Sequence, residues 1–100
     1  MVVALTAARA LRLRSVAVVN QFADNDCAKR MEVCTGPAAN GPWTSVATFT
    51  SAKTKERQTF AAAPDAPALG FVQVLVHDTY GGYACVNEVS LECEAWGPAA

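Results

Sequence analysis

The chain has 100 residues, a length that fits a single domain with one modest hydrophobic core. Apolar residues make up 52% of the sequence, but 20 of them are alanine and none is isoleucine, which limits the supply of larger core-forming side chains. The net charge of −1 provides no basic surplus for neutralising phosphates, which argues against general nucleic-acid binding. No apolar run approaches the roughly 20 residues that a membrane-spanning helix needs, so we predict no such helix.

The start of the sequence contains no acidic residue before Asp24, and arginines interrupt its apolar residues. A secretory signal needs an uninterrupted apolar stretch, so we predict none here. An Arg-rich, acid-free start also fits an organelle transit peptide, but such peptides are rich in serine and residues 1–19 contain one serine. We interpret residues 1–10 as an N-terminal extension or the remnant of an upstream strand, and residues 11–97 as the domain.

Short valine-rich runs separated by turn residues predict an all-β, antiparallel sandwich. The predicted strands, in chain order, are residues 11–19, 29–35, 43–50, 59–62, 71–78 and 84–94. The connections are residues 20–28, 36–42, 51–58, 63–70 and 79–83, which are rich in turn-forming or charged residues. Alternation with a period of two places Met31 and Val33 on one face of their strand, and Val72, Val74 and Val76 on one face of theirs.

The cysteine spacing bears on the redox state of the chain. Cys85 and Cys93 lie on one predicted strand, eight residues apart, which at about 3.3 Å per residue separates them by roughly 26 Å. A disulfide needs Cα atoms within about 7 Å, so we predict that both pack as small apolar groups on the core side of the strand. A pairing of Cys27 with Cys34, or a crossed pairing with the other two, stays open. Without a secretion signal we favour free thiols and an intracellular protein.

Three segments follow one another along the chain: a turn, Trp-Thr and an apolar strand at 40–49 (NGPWTSVATF), a short strand at 58–60 (QTF), and a closing hairpin at 71–91 (FVQVLVHDTYGGYACVNEVSL). In this order they resemble the discoidin family, the coagulation factor 5/8 C-terminal type of galactose-binding-like β-sandwich. The resemblance covers most of residues 11–96 but lacks the first strands of the family and their binding loops. It implies a jelly-roll sandwich that binds carbohydrate and catalyses no reaction.

The closing hairpin supports a second interpretation. It is also similar to the hairpin of SUN domains and of the Doc-type sandwich of ubiquitin-ligase subunits. That similarity implies a protein–protein interaction module, which is our alternative function. The expected partner is therefore a carbohydrate or a protein.

The loops of an antiparallel sandwich alternate between its two ends, so loops 20–28, 51–58 and 79–83 should gather at one end. Hydrogen-bonding and aromatic loop side chains are concentrated there, and we predict that this end binds the ligand. The candidate residues are Asp24, Asn25, Asp26, Arg57, Tyr80 and Tyr83. Asp, Asn and Arg can bind sugar hydroxyls, and a tyrosine ring can lie on the apolar face of a sugar. The alternative is that these loops are polar only because they are solvated, with the two tyrosines packed over the hairpin.

A structural calcium ion is the one cofactor that the resemblance suggests. In many discoidin-like sugar-binding modules, an early loop and a glutamate of the last strand hold this ion. Glu88 matches that glutamate by its position in the closing hairpin, and it is our candidate metal ligand. The early loop has no counterpart here, so the site would be incomplete, and the alternative is that Glu88 simply faces solvent. The run Asp24–Asp26 lacks the glycine and closing glutamate of an EF-hand.

Catalysis finds little support in the sequence. His77 is the only histidine, and the adjacent Asp78 points to the opposite face of the strand, where it cannot easily orient the imidazole. The sequence contains no nucleophile-elbow, zinc-protease or phosphate-loop motif. We therefore predict a binding module rather than an enzyme.

Overall fold

The computed structural model describes residues 2–4, 11–63, 67–68 and 70–95, and in this part of the chain it has eight β-strands and no helix. The strands are β1 (Val2–Ala4), β2 (Leu11–Asn20), β3 (Arg30–Gly36), β4 (Thr44–Thr50), β5 (Gln58–Ala61), β6 (Pro67–Ala68), β7 (Phe71–Val76) and β8 (Val86–Ala95). All the strand pairs are antiparallel, which confirms the predicted all-β antiparallel class. The described residues offer no helix with the length and hydropathy to traverse a bilayer.

The predicted strands agree with the observed ones to within two residues at each end. One short strand was not predicted: β6, which lies in the predicted connection 63–70. The short strand β1 lies within residues 1–10, which we interpreted as an extension or the remnant of an upstream strand. In β6, Pro67 pairs with Arg12 at the edge of a sheet, where a residue without an N–H is tolerated. Residues 5–10 and 96–97 of the predicted extension and domain lie outside the described residues.

The strands form two sheets. The first has the order β1-β7-β3-β4, with Val33 of β3 opposite Val74 of β7. In the second, β2 is central and pairs with β8 from Leu11 to Asn20. The partners β5 and β6 occupy the other edge of β2, because the β2 residues that they pair with also pair with β8.

The hydrophobic core lies between the two sheets, as in a sandwich. Its buried residues come from both: Leu13, Val16, Val18, Ala28, Met31, Val33, Val46, Ala47, Phe49 and Val72. The predicted alternation is confirmed for Met31 and Val33, which are fully buried, and for Val72, which is 1% exposed. Phe49 of the first sheet stacks on Phe60 of the second, with ring centroids 4.2 Å apart.

A β-bulge in β8 changes which of its residues face the core. Val19 pairs with Glu88 and Asn20 pairs with Val86, so Asn87 is an extra residue in β8. The extra residue changes which alternate residues of β8 face the core. Val86, on the far side of the bulge from Val89, therefore also packs against the core. The predicted core packing holds for Cys93 but was wrong for Cys85, which lies beyond the bulge and is not part of the core cluster.

All four cysteines lie in the described part of the chain, and all are free thiols. Cys27 is fully buried, and its thiol donates a hydrogen bond of 2.9 Å to the carbonyl of Phe22. Burial raises the pKa of the Cys34 and Cys93 thiols, and the nearby Glu32 carboxylate adds to the effect at Cys34. A thiol with a raised pKa is a poor source of thiolate, so neither of these two is set up as a nucleophile.

Candidate ligand-binding surface

Three loops meet at one end of the molecule, as the alternation argument predicts. They are residues 21–29, 51–57 and 77–85, and we call this surface the loop end. The N–H of Gly82 donates to the carbonyl of Asn25 at 2.9 Å, which joins the third loop to the first. The loop end is therefore one connected structure rather than three independent loops.

Asp26 holds the first and third loops together. Its Oδ1 accepts a hydrogen bond of 2.8 Å from the N–H of Tyr83, and its carbonyl accepts one of 2.8 Å from the N–H of Cys85. Its own N–H donates to Oδ1 of Asp24 at 2.9 Å, in the local turn that Asx residues favour. A Cβ atom on Gly82 would lie 1.9 Å from Oδ1 of Asp26, so only glycine permits this approach.

Asn20 holds the second loop in place, and the sequence analysis did not identify it. Its side chain is 1% exposed, and Nδ2 lies 3.2 Å from Ser51 Oγ, 3.2 Å from the carbonyl of Ala52 and 3.1 Å from that of Thr54. Gln58 also holds the second loop, since its Oε1 accepts a hydrogen bond of 2.7 Å from the N–H of Ala52. A buried amide with several backbone partners fixes the path of the loop around it.

The two tyrosines of the loop end have different surroundings. Tyr83 is 82% exposed, so its ring faces solvent and does not cover the core. Tyr80 is half-buried, and its hydroxyl donates a hydrogen bond of 2.6 Å to the carbonyl of Ser51. Tyr83 can therefore contact a ligand face to face, whereas Tyr80 also joins the third loop to the second.

A shallow depression of about 490 Å³ opens on the loop end. It is lined by Ala23, Asp24, Asn25, Asp26 and Lys53. The structure thus brings three of the predicted ligand-binding residues together, with Tyr83 attached to this group through its bond to Asp26. The lining offers carboxylate acceptors, an amide and one ammonium donor, which suits a ligand rich in hydroxyl groups.

Arg57 lies apart from this depression. Its Nη1 is 3.6 Å from Oε1 of Glu88, and these two residues come from the strands or loops on either side of β2. Both side chains are more than half exposed. Of the predicted ligand-binding residues, Arg57 has no polar contact with the group around the depression in the described part of the chain. Tyr80 adjoins that group only through Lys53, whose Nζ is 5.7 Å from the centroid of its ring.

Glu88, the candidate calcium ligand, has a cation beside it. Its Oε1 faces the guanidinium of Arg57 and accepts a hydrogen bond of 2.6 Å from Oγ of Ser90. Among the described residues, no group of three or more His, Cys, Asp or Glu side chains could hold a metal ion. Calcium prefers several oxygen ligands and no competing cation, so a calcium requirement remains only a prediction from the resemblance.

His77 has an acidic partner in another strand rather than the adjacent Asp78. Its Nε2 lies 2.8 Å from Oε1 of Glu32. Hydrogen bonds from Ser45 and from His77 lower the pKa of Glu32 below its ordinary value. In a catalytic triad the histidine lies between the nucleophile and the acid. Here Ser45 bonds to the Glu32 carboxylate and not to the imidazole of His77, so these three side chains are connected in a different order.

Comparison with known proteins adds no family to these observations. No protein-family profile matches the chain, and no curated protein shows significant similarity to it. We therefore infer the function from the residues and the geometry of the loop end.

Proposed function

We propose that the chain is a non-catalytic binding module that recognises carbohydrate through the loop end. The observation that carries this proposal is an aromatic ring, Tyr83, that is 82% exposed while its backbone is fixed to Asp26 beside a polar depression. Loops held by a rigid scaffold often carry function, and an exposed tyrosine ring can stack on the apolar face of a sugar while nearby polar groups bind its hydroxyls. We further propose that the sandwich is of the discoidin-like jelly-roll type, which the segments at 40–49 and 58–60 support. Strands β7 and β8 lie in different sheets, so residues 71–91 join the two sheets and the predicted closing hairpin was wrong.

Each residue around the depression has a distinct role in the proposal. Tyr83 stacks on the apolar face of a sugar ring, while Asp24 and Asn25 exchange hydrogen bonds with its hydroxyls. Asp26 has one oxygen committed to the N–H of Tyr83, so it acts mainly by holding the loops in place. Because the loops are already tied to one another, little ordering is needed when the ligand binds.

The expected affinity for a single sugar is weak. Each hydrogen bond contributes a net free energy of about 0.5–1.5 kcal/mol. Association itself costs free energy, so a site with few contacts binds a single sugar weakly. Presenting several copies of the domain together raises the apparent affinity by about 10²–10⁴-fold. Binding should therefore be sought with a multivalent form of the protein.

The test is a glycan array probed with the folded, multivalent domain. We expect reproducible binding to one class of saccharide, lost in Tyr83→Ala and retained in Asn40→Ala, an exposed position in the loop between β3 and β4. A cooperative thermal melt of each variant shows that the fold is intact. A blank array with folded protein, or equal binding by Tyr83→Ala, would refute the proposal.

The alternative function, a protein-interaction module, is favoured by a different feature. An apolar crevice of about 610 Å³ runs between β7 and β8, and its lining includes Met31, Val76, Val86 and Val89. Val76 is 38% exposed there, as an interaction surface would require. A blank array combined with loss of a pulled-down partner in Val76→Asp would favour this alternative.

A further inference from the structure

Two lysines from different loops converge on the ring of Tyr80. Nζ of Lys29 is 5.3 Å from the ring centroid, and Nζ of Lys53 is 5.7 Å from it. Each ammonium group is attracted by the electron-rich face of the ring. Two cations beside one ring also repel each other, so the arrangement places positive charge where an anion would relieve that repulsion.

The hydroxyl of Tyr80 and the backbone of Lys29 are both held by hydrogen bonds within the loop end. The N–H of Lys29 donates to the carbonyl of Asp78 at 2.8 Å, and its carbonyl accepts from the N–H of Ser51 at 2.7 Å. Lys29 is thereby bonded through its backbone to both neighbouring loops. The hydroxyl of Tyr80 also donates a hydrogen bond to the carbonyl of Ser51. The ring of Tyr80 and the backbone of Lys29 are therefore in place before any ligand binds.

Neither lysine is neutralised within the described part of the chain, where no ion pair involves Lys29 or Lys53. Arg57, in the same loop as Lys53, is instead paired with Glu88. One carboxylate oxygen each of Asp24 and Asp26 accepts a backbone N–H, and neither carboxylate forms an ion pair with these lysines. The positive charge beside Tyr80 is therefore available to a ligand.

We propose that the loop end binds an acidic saccharide whose carboxylate lies beside Tyr80, held by the ammonium groups of Lys29 and Lys53. Lys53 also lines the depression, so one ligand can place its carboxylate at the lysines and its hydroxyls against Asp24 and Asn25. This inference rests on the proposed carbohydrate function and narrows it to uronic acids or similar sugars.

The charge distribution favours a saccharide over an anionic membrane. The chain as a whole carries a charge of −1, so no long-range attraction draws it to a negative bilayer. Asp24 and Asp26 line the same depression and would repel a surface dense in phosphates. A ligand with a single carboxylate beside Tyr80 is repelled less by those acids than a surface dense in phosphates, because it carries only one negative charge.

The test compares two trisaccharides of the same linkage, one of galacturonic acid and one of galactose, titrated into the whole protein by calorimetry. We expect the acidic trisaccharide to bind about tenfold more tightly, because each charge-assisted contact is stronger than a neutral one. Raising the salt concentration from 50 to 500 mM should remove most of that difference. Lys29→Gln and Lys53→Gln should each reduce the preference, and the double variant should abolish it.

Lys55→Gln is the matched control, since Lys55 is an exposed lysine of the same loop that does not contact Tyr80. Equal binding of both trisaccharides, unchanged in the double lysine variant, would overturn the acidic ligand and leave the carbohydrate function standing. Binding of neither trisaccharide would also overturn it, and a blank glycan array would then overturn the carbohydrate function as well. Sedimentation with phosphatidylserine vesicles, without trisaccharide binding, would assign the lysines to a membrane and contradict the proposal.

Discussion

Oδ1 of Asp26 accepts a hydrogen bond from the N–H of Tyr83, 57 residues later in the chain, over a distance of 2.8 Å. This contact connects the loop after β2 to the loop that joins β7 to β8. It fixes the backbone of the most exposed large hydrophobic side chain of the described residues. The binding surface that we propose depends on this connection between distant parts of the sequence.

Gly82→Ala should destabilise the protein by about 1–3 kcal/mol, as expected for forcing a methyl group into an occupied space. The new Cβ would lie 1.9 Å from Oδ1 of Asp26 and 3.0 Å from the backbone carbonyl of Asn25. Gly70→Ala is the control, because its Cβ would meet only the carbonyl oxygen of Pro37, at 4.0 Å. Chemical denaturation of both variants measures the difference, and equal stability would show that the contact between the first and third loops is not formed.

Asn20→Ala should lower the free energy of unfolding by about 1–3 kcal/mol, because it leaves polar groups of the second loop without their buried partner. These groups include the carbonyls of Ala52 and Thr54. A loss of this size lowers the melting temperature by about 4–8 °C per kcal/mol in a domain of this length. Asn40→Ala, in an exposed loop, should melt like the original protein. If both variants melt alike, Asn20 does not anchor the loop.

Glu94 should make the stability depend on pH on the acidic side. A hydrogen bond from Arg12, and then one from Arg14, lowers the pKa of Glu94 below its ordinary value of 4.5. A carboxyl whose pKa is lower in the folded state stabilises the fold fully above its unfolded pKa and loses that effect as the pH falls through its folded pKa. The melting temperature should therefore hold between pH 7 and about pH 5 and fall below about pH 4.5.

Glu94→Gln separates this contribution from general acid denaturation. It should melt below the original protein at pH 7 and approach it as the pH falls, since the ion pairs are then lost in both. Glu92→Gln is the control, because Glu92 is exposed on the same strand and its carboxylate has no hydrogen-bond or ion-pair partner among the described residues. A constant difference between Glu94→Gln and the original protein at every pH would show that the charge of Glu94 is not responsible.

Calcium should have no effect on stability. A ligand that binds only the folded state at a hundred times its dissociation constant adds about 2.7 kcal/mol, which is readily detected as a higher melting temperature. Glu88 is paired with the cation Arg57, so we expect identical melts in 5 mM CaCl₂ and in 5 mM EDTA. A rise of several degrees with calcium, lost in Glu88→Gln, would restore the calcium site that the resemblance implies.

The strands were predictable because their cause is local. Alternating valines mark a half-buried strand wherever they occur, and the turn residues between them set the boundaries. The gathering of three loops at one end was predictable for a similar reason, since it follows from strand order in an antiparallel fold. Strand β6 was missed because two residues are too few to show a period.

The details of the loop end depended on contacts that no local pattern records. Arg57 was placed with Asp24 because it lies in the right loop, but its side chain turns towards Glu88 on another strand. Lys29 was overlooked because its relation to Tyr80 exists only after the loops have met. Asn20 did carry a signal, since it continues the inward-facing positions of Val16 and Val18 on β2.

The measurement that tests the central claim most directly maps a bound saccharide onto the protein by NMR. The probe is the saccharide with the strongest array signal, titrated into isotopically labelled protein while backbone amide shifts are followed. Our account predicts that the amide shifts change mainly in residues 23–26, 53 and 79–83, and that the shifts of residues 36–42 stay unchanged. Shifts centred on residues 36–42, or on the crevice between β7 and β8, would contradict it.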